Sequence, residues 1–590
     1  MANAKRSTFT AWKLSGQLML AALATMSAGV VCATEISPAP TTQHFALAAP
    51  PHVQIAGTLR VLPQNPRYFT DDTGGAIYLT GSHTWVNFKD YGVADPPPAF
   101  DYTAFLQFLE DHNHNFFRLW SWEMPHSALG ALGQMWYRTS FPWLRTGPGT
   151  ATDGKPKFDL SQFDDSYFAR LASCVAEAES RGLYVAVMLW DGYGLQFNRS
   201  AAVDGFPYDS RNNINGISSG GTESQSLTNN AVTANQEAYL RRVIETVNGF
   251  DNVLYEIANE AGLYSTAWQY HMINLTKQIE LAMPKQHPVG MTYQYSGGSD
   301  QALYNSPADW ISTSERFPAA TGSKVIFNDT DHSYGWTTLL SEGPAAHQTW
   351  AWKNFTRGCN TGFMDPYLVD WPGRNIPSGG NPDPYWERIR NALGRTRSYA
   401  TRMNLSAAPP SGNLTSTGYC LANPGVEYLV YQPNSNQSFT VDLAAGSYVR
   451  EWYNPTTGVV TGTAQITAAG GSLAFTAPFS GDAVLYLKVP VVLAAAEGTR
   501  DAARLALDHI TNPARDGRLQ VTFSLPSNAA ATLEAVDVSG RRVVVREVGS
   551  LGAGRHRIDL RPERRLSRGM YFVRLTQDGR VATARVAVLD

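Results

Sequence analysis

The pattern of apolar and polar positions changes along the chain. Between about residues 76 and 402, short apolar runs alternate with longer stretches whose apolar residues recur at helical spacing. This alternation is typical of a parallel sheet covered by helices. The short runs predict eight strands, at 76–80, 115–120, 184–190, 253–260, 288–295, 310–314, 324–327 and 361–365. The longer stretches predict helices at about 101–112, 165–182, 231–249, 266–283, 345–358 and 384–402.

Eight strands interleaved with helices fit a (β/α)8 TIM barrel with loop insertions, which we predict for residues 58–408. A doubly wound open sheet is the alternative. It is disfavoured because no predicted strand is followed by a Gly-rich phosphate loop. From residue 409 the strands become short and are separated by Gly, Pro and Asn turns, so a small β-sandwich is predicted over 409–492.

Residues 500–590 form a third predicted unit, which is again all-β and follows a linker around 494–499. Its basic residues are all Arg, with 16 Arg against 10 Asp plus Glu, in a protein whose formal charge is -3. This local shift in charge favours a separate module. The predicted fold class is therefore an α/β barrel followed by two small all-β sandwich domains.

The first residues predict a secretory signal peptide over 1–33. Basic residues precede an apolar run at 18–31, and Val31-Cys32-Ala33 fits a small-x-small cleavage site. The run is short and Ala-rich, which disfavours a membrane anchor. Residues 34–57 are rich in Pro, Ala and Thr and predict a flexible lead-in. We therefore expect a secreted or cell-surface protein.

Three cysteines remain after the predicted cleavage: Cys174, Cys359 and Cys420. An odd number cannot all pair within one chain, and their spacing matches no metal site. We expect them to be mainly buried small residues, with one disulfide possible. No metal and no cofactor is predicted.

The fourth predicted strand ends in the polar pair Asn259-Glu260, which is costly to bury without partners or a chemical role. Strict alternation would place Glu256, Ala258 and Glu260 on one face and Asn259 on the other. The alternative is that the terminal carboxylate merely caps the next helix.

Acidic residues stand at the ends of several predicted strands, where a closed barrel would bring them to one mouth. A carboxylate on each of strands four and seven is the arrangement that glycoside hydrolysis requires. We therefore predict catalytic roles for Glu260 and for Asp329 or Asp331. The predicted substrate-binding residues are His83, Trp85, Arg118, Trp120, Glu123, Asp191, Asn259, Tyr293, His332 and Asp365.

Each of these assignments has a plainer alternative. Asp329 and Asp331 lie in a turn-rich segment, and Arg118 could simply neutralise an interior carboxylate. Asp191 and Asp365 could anchor loops. Asp329 is slightly favoured over Asp331 because it lies nearer the apolar part of its strand. Against this, an imidazolium at His332 would help to keep Asp331 ionised.

Residues 58–490 resemble the apiosidase-like glycoside hydrolases. The motifs that carry the resemblance are 67–71, 78–85, 115–120, 255–260 and 329–332. The resemblance implies a (β/α)8 barrel with its acids on strands four and seven. Asn259-Glu260 also resembles the acid/base signature of the large retaining barrel clan, from which this chain departs by offering Asp rather than Glu on strand seven.

The C-terminal regions have resemblances of their own. Residues 413–490 resemble the small β-domain of the same proteins, which is sometimes labelled collagen-binding. Residues 500–590 resemble the immunoglobulin-like modules that serve as sorting or attachment signals in some secreted bacterial proteins, through 569–575 and 584–589.

The expected function is hydrolysis of a plant or microbial polysaccharide by a secreted bacterial glycoside hydrolase. Retention of configuration is expected from the resemblance. The expected partners are this substrate and, through 500–590, secretion or attachment machinery; no nucleic acid is expected. A non-catalytic carbohydrate- or collagen-binding surface protein is the alternative. A secreted metalloprotease is disfavoured because the chain has no matching ligand motif.

Overall fold

The computed structural model describes residues 55–589, apart from residues 86, 129–134, 198–204, 296, 320–321, 368–382, 491–504, 511–513, 515–518, 528 and 561–565. The predicted signal peptide, most of the lead-in and the linker around 494–499 lie outside the described residues.

Eight parallel strands form one sheet, which confirms the predicted barrel. They are β1 (Thr80–His83), β2 (Phe116–Leu119), β3 (Tyr184–Asp191), β4 (Val253–Asn259), β5 (Val289–Thr292), β6 (Trp310–Ser312), β7 (Val325–Asp329) and β8 (Asn360–Met364). Their order in the sheet is β1-β8-β7-β6-β5-β4-β3-β2, and every ladder is parallel. The carboxyl ends of all eight strands therefore meet at one mouth.

Seven longer helices lie between and after these strands in the described part of the chain. They are α1 (Tyr102–Asp111), α2 (Asp165–Ser180), α3 (Asn230–Val247), α4 (Thr266–Glu280), α5 (Asp300–Asn305), α6 (Trp336–Thr356) and α7 (Glu387–Ala400). α6 is broken at Gly343, whose φ is 75° and which precedes Pro344. The predicted helix at 345–358 corresponds to the part after this break. The part before it begins close to the barrel mouth.

The first strand lies later in the chain than predicted, at Thr80–His83 rather than 76–80. Its four residues are polar or glycine, yet all are buried. Thr80 Oγ1 shares a hydrogen bond of 3.0 Å with Thr361 Oγ1 on β8. A pattern of apolar residues cannot reveal such a strand, because partners elsewhere in the chain offset the cost of burying its polar groups.

Side chains close the seam between β1 and β2. The Thr80 N–H donates to Asn115 Oδ1 at 2.9 Å, and Asn115 Nδ2 donates to the Tyr78 carbonyl at 2.9 Å. Gly81 allows the strands to approach, because a Cβ there would lie 2.1 Å from the Phe116 carbonyl oxygen.

The amino-terminal half of the barrel interior is filled by apolar side chains, including Phe116, Leu254, Trp310 and Phe327. Leu59 and Phe69 belong to the same cluster and come from the segment that precedes the barrel, which contains the short strands Arg60–Val61 and Phe69–Thr70. This segment therefore packs against the amino-terminal end of the barrel. The polar side chains of the barrel interior lie toward the carboxyl-terminal end.

Two long loops lie at the mouth of the barrel. The one between β2 and α2 contains the strands His126–Ala128, Met135–Arg138, Trp143–Thr150 and Pro156–Phe163. The strand Tyr91–Gly92, from the β1–α1 connection, pairs with Met135–Arg138. The excursion between β3 and α3 contains a short helix, Tyr193–Phe197, and a 3₁₀ turn, Gly221–Gln225.

The predicted β-sandwich follows the barrel. Its strands are Cys420–Asn423, Glu427–Gln432, Phe439–Leu443, Gly446–Asn454, Val459–Ala468, Gly471–Phe475 and Ala483–Lys488, arranged in sheets of five and two. Trp352 of α6 and Tyr399 of α7 share an apolar cluster with Tyr431, Tyr453 and Tyr486 of the five-stranded sheet. The sandwich therefore packs directly on the barrel helices.

The third unit is also all-β, as predicted. Its strands are Ala506–Ile510, Leu519–Leu525, Ala531–Asp537, Arg542–Glu547, Gly554–Leu560, Gly569–Gln577 and Arg580–Val588. They form sheets of three and four strands around a separate apolar core.

The three cysteines that follow the predicted cleavage site are buried free thiols, so the disulfide left open by the sequence does not form among them. None of the described helices is long and apolar enough to cross a membrane.

Candidate active site

A cavity of about 370 Å³ opens at the mouth of the barrel. Its lining comes from residues at or beyond the carboxyl ends of most barrel strands, the position of active sites in this fold. The lining residues are Trp85, Tyr91, Trp120, Trp122, Tyr193, Asn259, Glu260, Tyr295, Asp331, Gly335, Trp336, Thr337, Thr338 and Met364.

Glu260 follows β4 directly and lies on the cavity wall. Its φ of 50° is in the left-handed region, which is uncommon for a residue with a Cβ. The Glu260 carbonyl accepts a hydrogen bond from Gln196 Nε2, and Gly192 N donates to the Asn259 carbonyl at 2.8 Å. The segment after β3 therefore holds the strained backbone that aims the Glu260 carboxyl.

Asn259 does not lie on the opposite face from Glu256, as strict alternation predicted. Asn259 Oδ1 and both Glu256 carboxylate oxygens accept hydrogen bonds from the same guanidinium, that of Arg118. The alternation is lost near the end of β4, just before the left-handed turn at Glu260. The acid and its neighbouring amide consequently both reach the cavity.

Arg118 on β2 is the centre of the charged network below the cavity. Its Nε and Nη2 donate to Glu256 at 2.8 and 2.5 Å, and its Nη1 donates to Asp329 at 3.2 Å and to Asp331 at 3.0 Å. The side chain is completely buried. The proposal that Arg118 neutralises an interior carboxylate is therefore correct for Glu256, a residue for which the sequence predicted no site role.

Besides Arg118, His83 and Trp120 also hold Asp329 in place, through two linked hydrogen bonds. Trp120 Nε1 donates to His83 Nδ1 at 2.8 Å, so the proton of the neutral imidazole lies on Nε2. His83 Nε2 then donates to Asp329 Oδ2 at 2.7 Å. The hydrogen bonds therefore run in one direction, from Trp120 on the cavity wall through His83 to the buried Asp329.

The two carboxylates of strand seven occupy different positions. β7 ends at Asp329, whose Oδ1 caps the short helix Thr330–Ser333 by accepting from Asp331 N at 3.0 Å. The strand does not continue through Thr330, as a shared face for both residues would require. Asp329 is fully buried, whereas Asp331 lines the cavity.

His332 is neutral rather than an imidazolium, which corrects the reason offered for an ionised Asp331. Burial, and after it the charge of Arg118, lowers the pKa of His332 to about 3. Its Nε2 donates to Asn259 Oδ1 at 3.0 Å, and its Nδ1 accepts from Ser312 Oγ at 2.8 Å. Its part is to orient the Asn259 amide.

The carboxyls around the cavity have different affinities for protons. Burial, and next the charge of Asp331, raises the pKa of Glu260 well above its usual range. Burial raises the pKa of Asp331 to about 6, although Arg118 opposes this. Burial also acts to raise the pKa of Asp329, but His83 and then Arg118 outweigh it and hold that pKa well below its usual range. These shifts favour the protonated form of Glu260 and the ionised form of Asp329, with Asp331 between them.

Seven of the predicted substrate-binding residues do not line the cavity: His83, Arg118 and His332, described above, and Glu123, Asp191, Tyr293 and Asp365. Glu123 and Asp191 are buried near each other, and Asp191 N donates to Glu123 Oε2 at 3.3 Å. Burial raises the pKa of Glu123 to about 8 and that of Asp191 to about 7. Asp365 is paired with Arg390 of α7 at 2.6 Å, which favours the loop-anchor alternative. Tyr293 is half-buried beside the site. Their binding roles stay predictions.

Most of the aromatic wall was not predicted. Trp122 and Tyr193 each lie within three residues of predicted strand ends, so proximity to a strand end was the available signal. Tyr91 and Trp336 lie in a loop and at the start of α6, and only the tertiary fold brings them to the cavity. Trp85 and Trp336 meet edge to face, with ring centroids 6.1 Å apart.

Comparison with known proteins adds evidence on the fold. No protein-family model matches the chain, and no curated protein sequence matches it. Among solved structures, the chain is similar to a candidate glycoside hydrolase from Bacteroides vulgatus ATCC 8482. The TM-score is 0.50 and the identity 13%, over 73% of this chain and 82% of that one. The fold is shared with that protein.

A family 5 glycoside hydrolase from the same organism matches with a TM-score of 0.48 and 12% identity, over 74% of this chain and 94% of that one. At 13% identity, the match to the candidate glycoside hydrolase shows a similar fold and no shared substrate.

Proposed function

We propose that this chain is a glycoside hydrolase in which Glu260 is the general acid and Asp331 the partner carboxylate. One observation carries the proposal: two carboxyls, Glu260 with a pKa raised well above its usual range and Asp331 with a pKa raised to about 6, lie on the wall of the same aromatic cavity. Cleavage of a glycosidic bond needs both, one to protonate the leaving oxygen and one to act at the anomeric carbon.

In the proposed reaction, Glu260 donates its proton to the glycosidic oxygen while Asp331 attacks the anomeric carbon. The covalent intermediate is then hydrolysed by water, whose proton Glu260 accepts. Asp331 is the largest charged contributor to the raised pKa of Glu260, which suits the short carboxyl separation of retaining enzymes. Asp329 is a positioning residue that holds Arg118 and His83.

The finer predictions belong to the same proposal. Action outside the cell on a plant or microbial polysaccharide follows from the N-terminal segment and from the resemblance to apiosidase-like enzymes. Attachment or export through residues 500–590 follows from the resemblance of that module to sorting domains. Neither is needed for the chemistry at Glu260 and Asp331.

The test is turnover on a panel of polysaccharides and aryl glycosides with four proteins: wild type, Glu260→Gln, Asp331→Asn and, as a control, Asp165→Asn, whose carboxylate is exposed. We expect both site variants to fold and to lose at least ~100-fold in turnover on unactivated substrates, whereas the control keeps its activity. NMR of the first product should show retained configuration. Near wild-type turnover by either folded site variant would remove that residue from the mechanism.

A further inference from the structure

The charge on the cavity wall is of one sign. Among the described lining residues, the side chains with acidic or basic groups of the Asp, Glu, Lys, Arg or His type are Glu260 and Asp331, and both are acids. The other lining residues are aromatic side chains, threonines, a glycine, an amide and a methionine. The described wall therefore offers no cation to an incoming ligand.

The nearest guanidinium is not available to a substrate. Arg118 makes five hydrogen bonds through its three nitrogens, to Glu256 twice and to Asn259, Asp329 and Asp331 once each. A guanidinium has five N–H donors, so its capacity is filled by the protein. The side chain is also fully buried and does not line the cavity.

The network around Arg118 carries an excess of negative charge. One guanidinium faces Glu256, Asp329 and Asp331, and the His83 and His332 rings beside them are neutral when they make the hydrogen bonds described above. Arg138 is a second arginine near the site in the described part of the chain. It is buried, packs on the Trp122 and Tyr91 rings at 4.1 and 4.9 Å from their centroids, and donates to the Met124 carbonyl.

We propose that this site accepts uncharged sugar rings and rejects sugars that carry a carboxylate or a sulfate. The inference rests on the proposed function and adds a substrate class to it. An anionic ring would lose its hydration beside Asp331 without gaining a cationic partner, which is unfavourable. The C–H faces of an uncharged ring suit the aromatic wall, and the Asn259 amide can bind its hydroxyls.

The first test compares matched sugars that differ only in a CH₂OH or COO⁻ group at C6. Hydrolysis of glycoside and uronide pairs by the full chain is measured, as is calorimetric binding of neutral and uronic oligosaccharides to Glu260→Gln. We expect the uronides to be at least ~100-fold poorer in both assays at pH 7, and less so at pH 5, where Asp331 is protonated.

The second test places a cation on the wall. Thr338 is exposed and lines the cavity. Thr338→Lys should raise the ratio of uronide to neutral hydrolysis by about tenfold at low salt and less at high salt. Thr338→Gln, which adds length without charge, should leave the ratio unchanged.

The outcomes separate the two proposals. Uronides handled as well as their neutral partners, or an unchanged ratio in Thr338→Lys, would overturn the substrate class and leave the hydrolase intact. Absence of both binding and hydrolysis for every sugar would overturn both proposals.

Discussion

A single arginine determines the behaviour of several acids in the site. Arg118 binds Glu256 through two nitrogens and reaches Asp329 and Asp331 through the third. It favours the ionised forms of Asp329 and Asp331, while Glu260 makes no ion pair with it among the described residues and has a pKa raised well above its usual range. Which carboxyl serves as the acid, Glu260, and which as the partner carboxylate, Asp331, therefore depends on which carboxyls the guanidinium can reach.

Replacing Arg118 by Met should destabilise the barrel strongly, because the Glu256 carboxylate would remain buried without its ion-pair partner. Loss of one member of a buried ion pair costs about 3–5 kcal/mol. The check is the melting temperature, with Arg242→Met as the control, since that ion pair is exposed. Equal melting shifts in the two variants would contradict the central role of Arg118.

The pH dependence of turnover should be bell-shaped. Activity should fall below about pH 6, as Asp331 becomes protonated, because its pKa is raised to about 6. Activity should also fall on the alkaline side, as Glu260 loses its proton, at a pH set by its raised pKa.

An aryl glycoside with a good leaving group distinguishes the acidic from the alkaline limb of the pH profile, because departure of that leaving group needs no acid. With this substrate, Glu260→Gln should lose the alkaline limb and keep the acidic one. An alkaline limb that persists in this variant would assign the acid to another residue.

Elements, rather than single residues, bring the acids to one mouth. The seam between β1 and β2 depends on close approach at Gly81 and on the Asn115 side chain. The strand order then aligns the carboxyl ends that carry the site.

Gly81→Ala should therefore prevent proper folding, because its Cβ would lie 2.1 Å from the Phe116 carbonyl oxygen. Gly322→Ala is the matched control, since nothing lies within 4 Å of a Cβ there. Soluble yield and melting temperature are the measurements. A Gly81→Ala protein as stable as the control would show that the seam can open without loss.

At the scale of the whole molecule, the two β-rich regions should respond differently to truncation. A chain ending near Pro490 should keep its activity on soluble substrates, because residues 505–589 have a separate core. A chain ending near Ala408 should be insoluble, because it would expose Trp352 and Tyr399, which pack on the sandwich. Soluble yield and turnover of the two truncated proteins decide the matter. Lost activity in a folded chain ending at Pro490 would show that the last module contributes to the site.

The pattern of apolar residues was enough to predict the architecture and the strand ends that carry the chemistry. The strands β3 and β4 are buried on both faces, so each is a continuous apolar run. Such a run can be recognised from its own residues, without knowing which strands lie beside it. The same local signal placed Asn259-Glu260 at a strand exit, Asp329 at the end of β7 and Asp331 just after it.

Which of these side chains meet, and which of them carry a proton, depends on contacts between distant parts of the chain. Partners far away in the chain account for three features: the polar strand β1, the pairing of Glu256 with Arg118 and the neutral His332. The aromatic wall likewise gathers residues from separate loops. Burial and the charges of neighbours set protonation, and neither can be obtained from one segment alone.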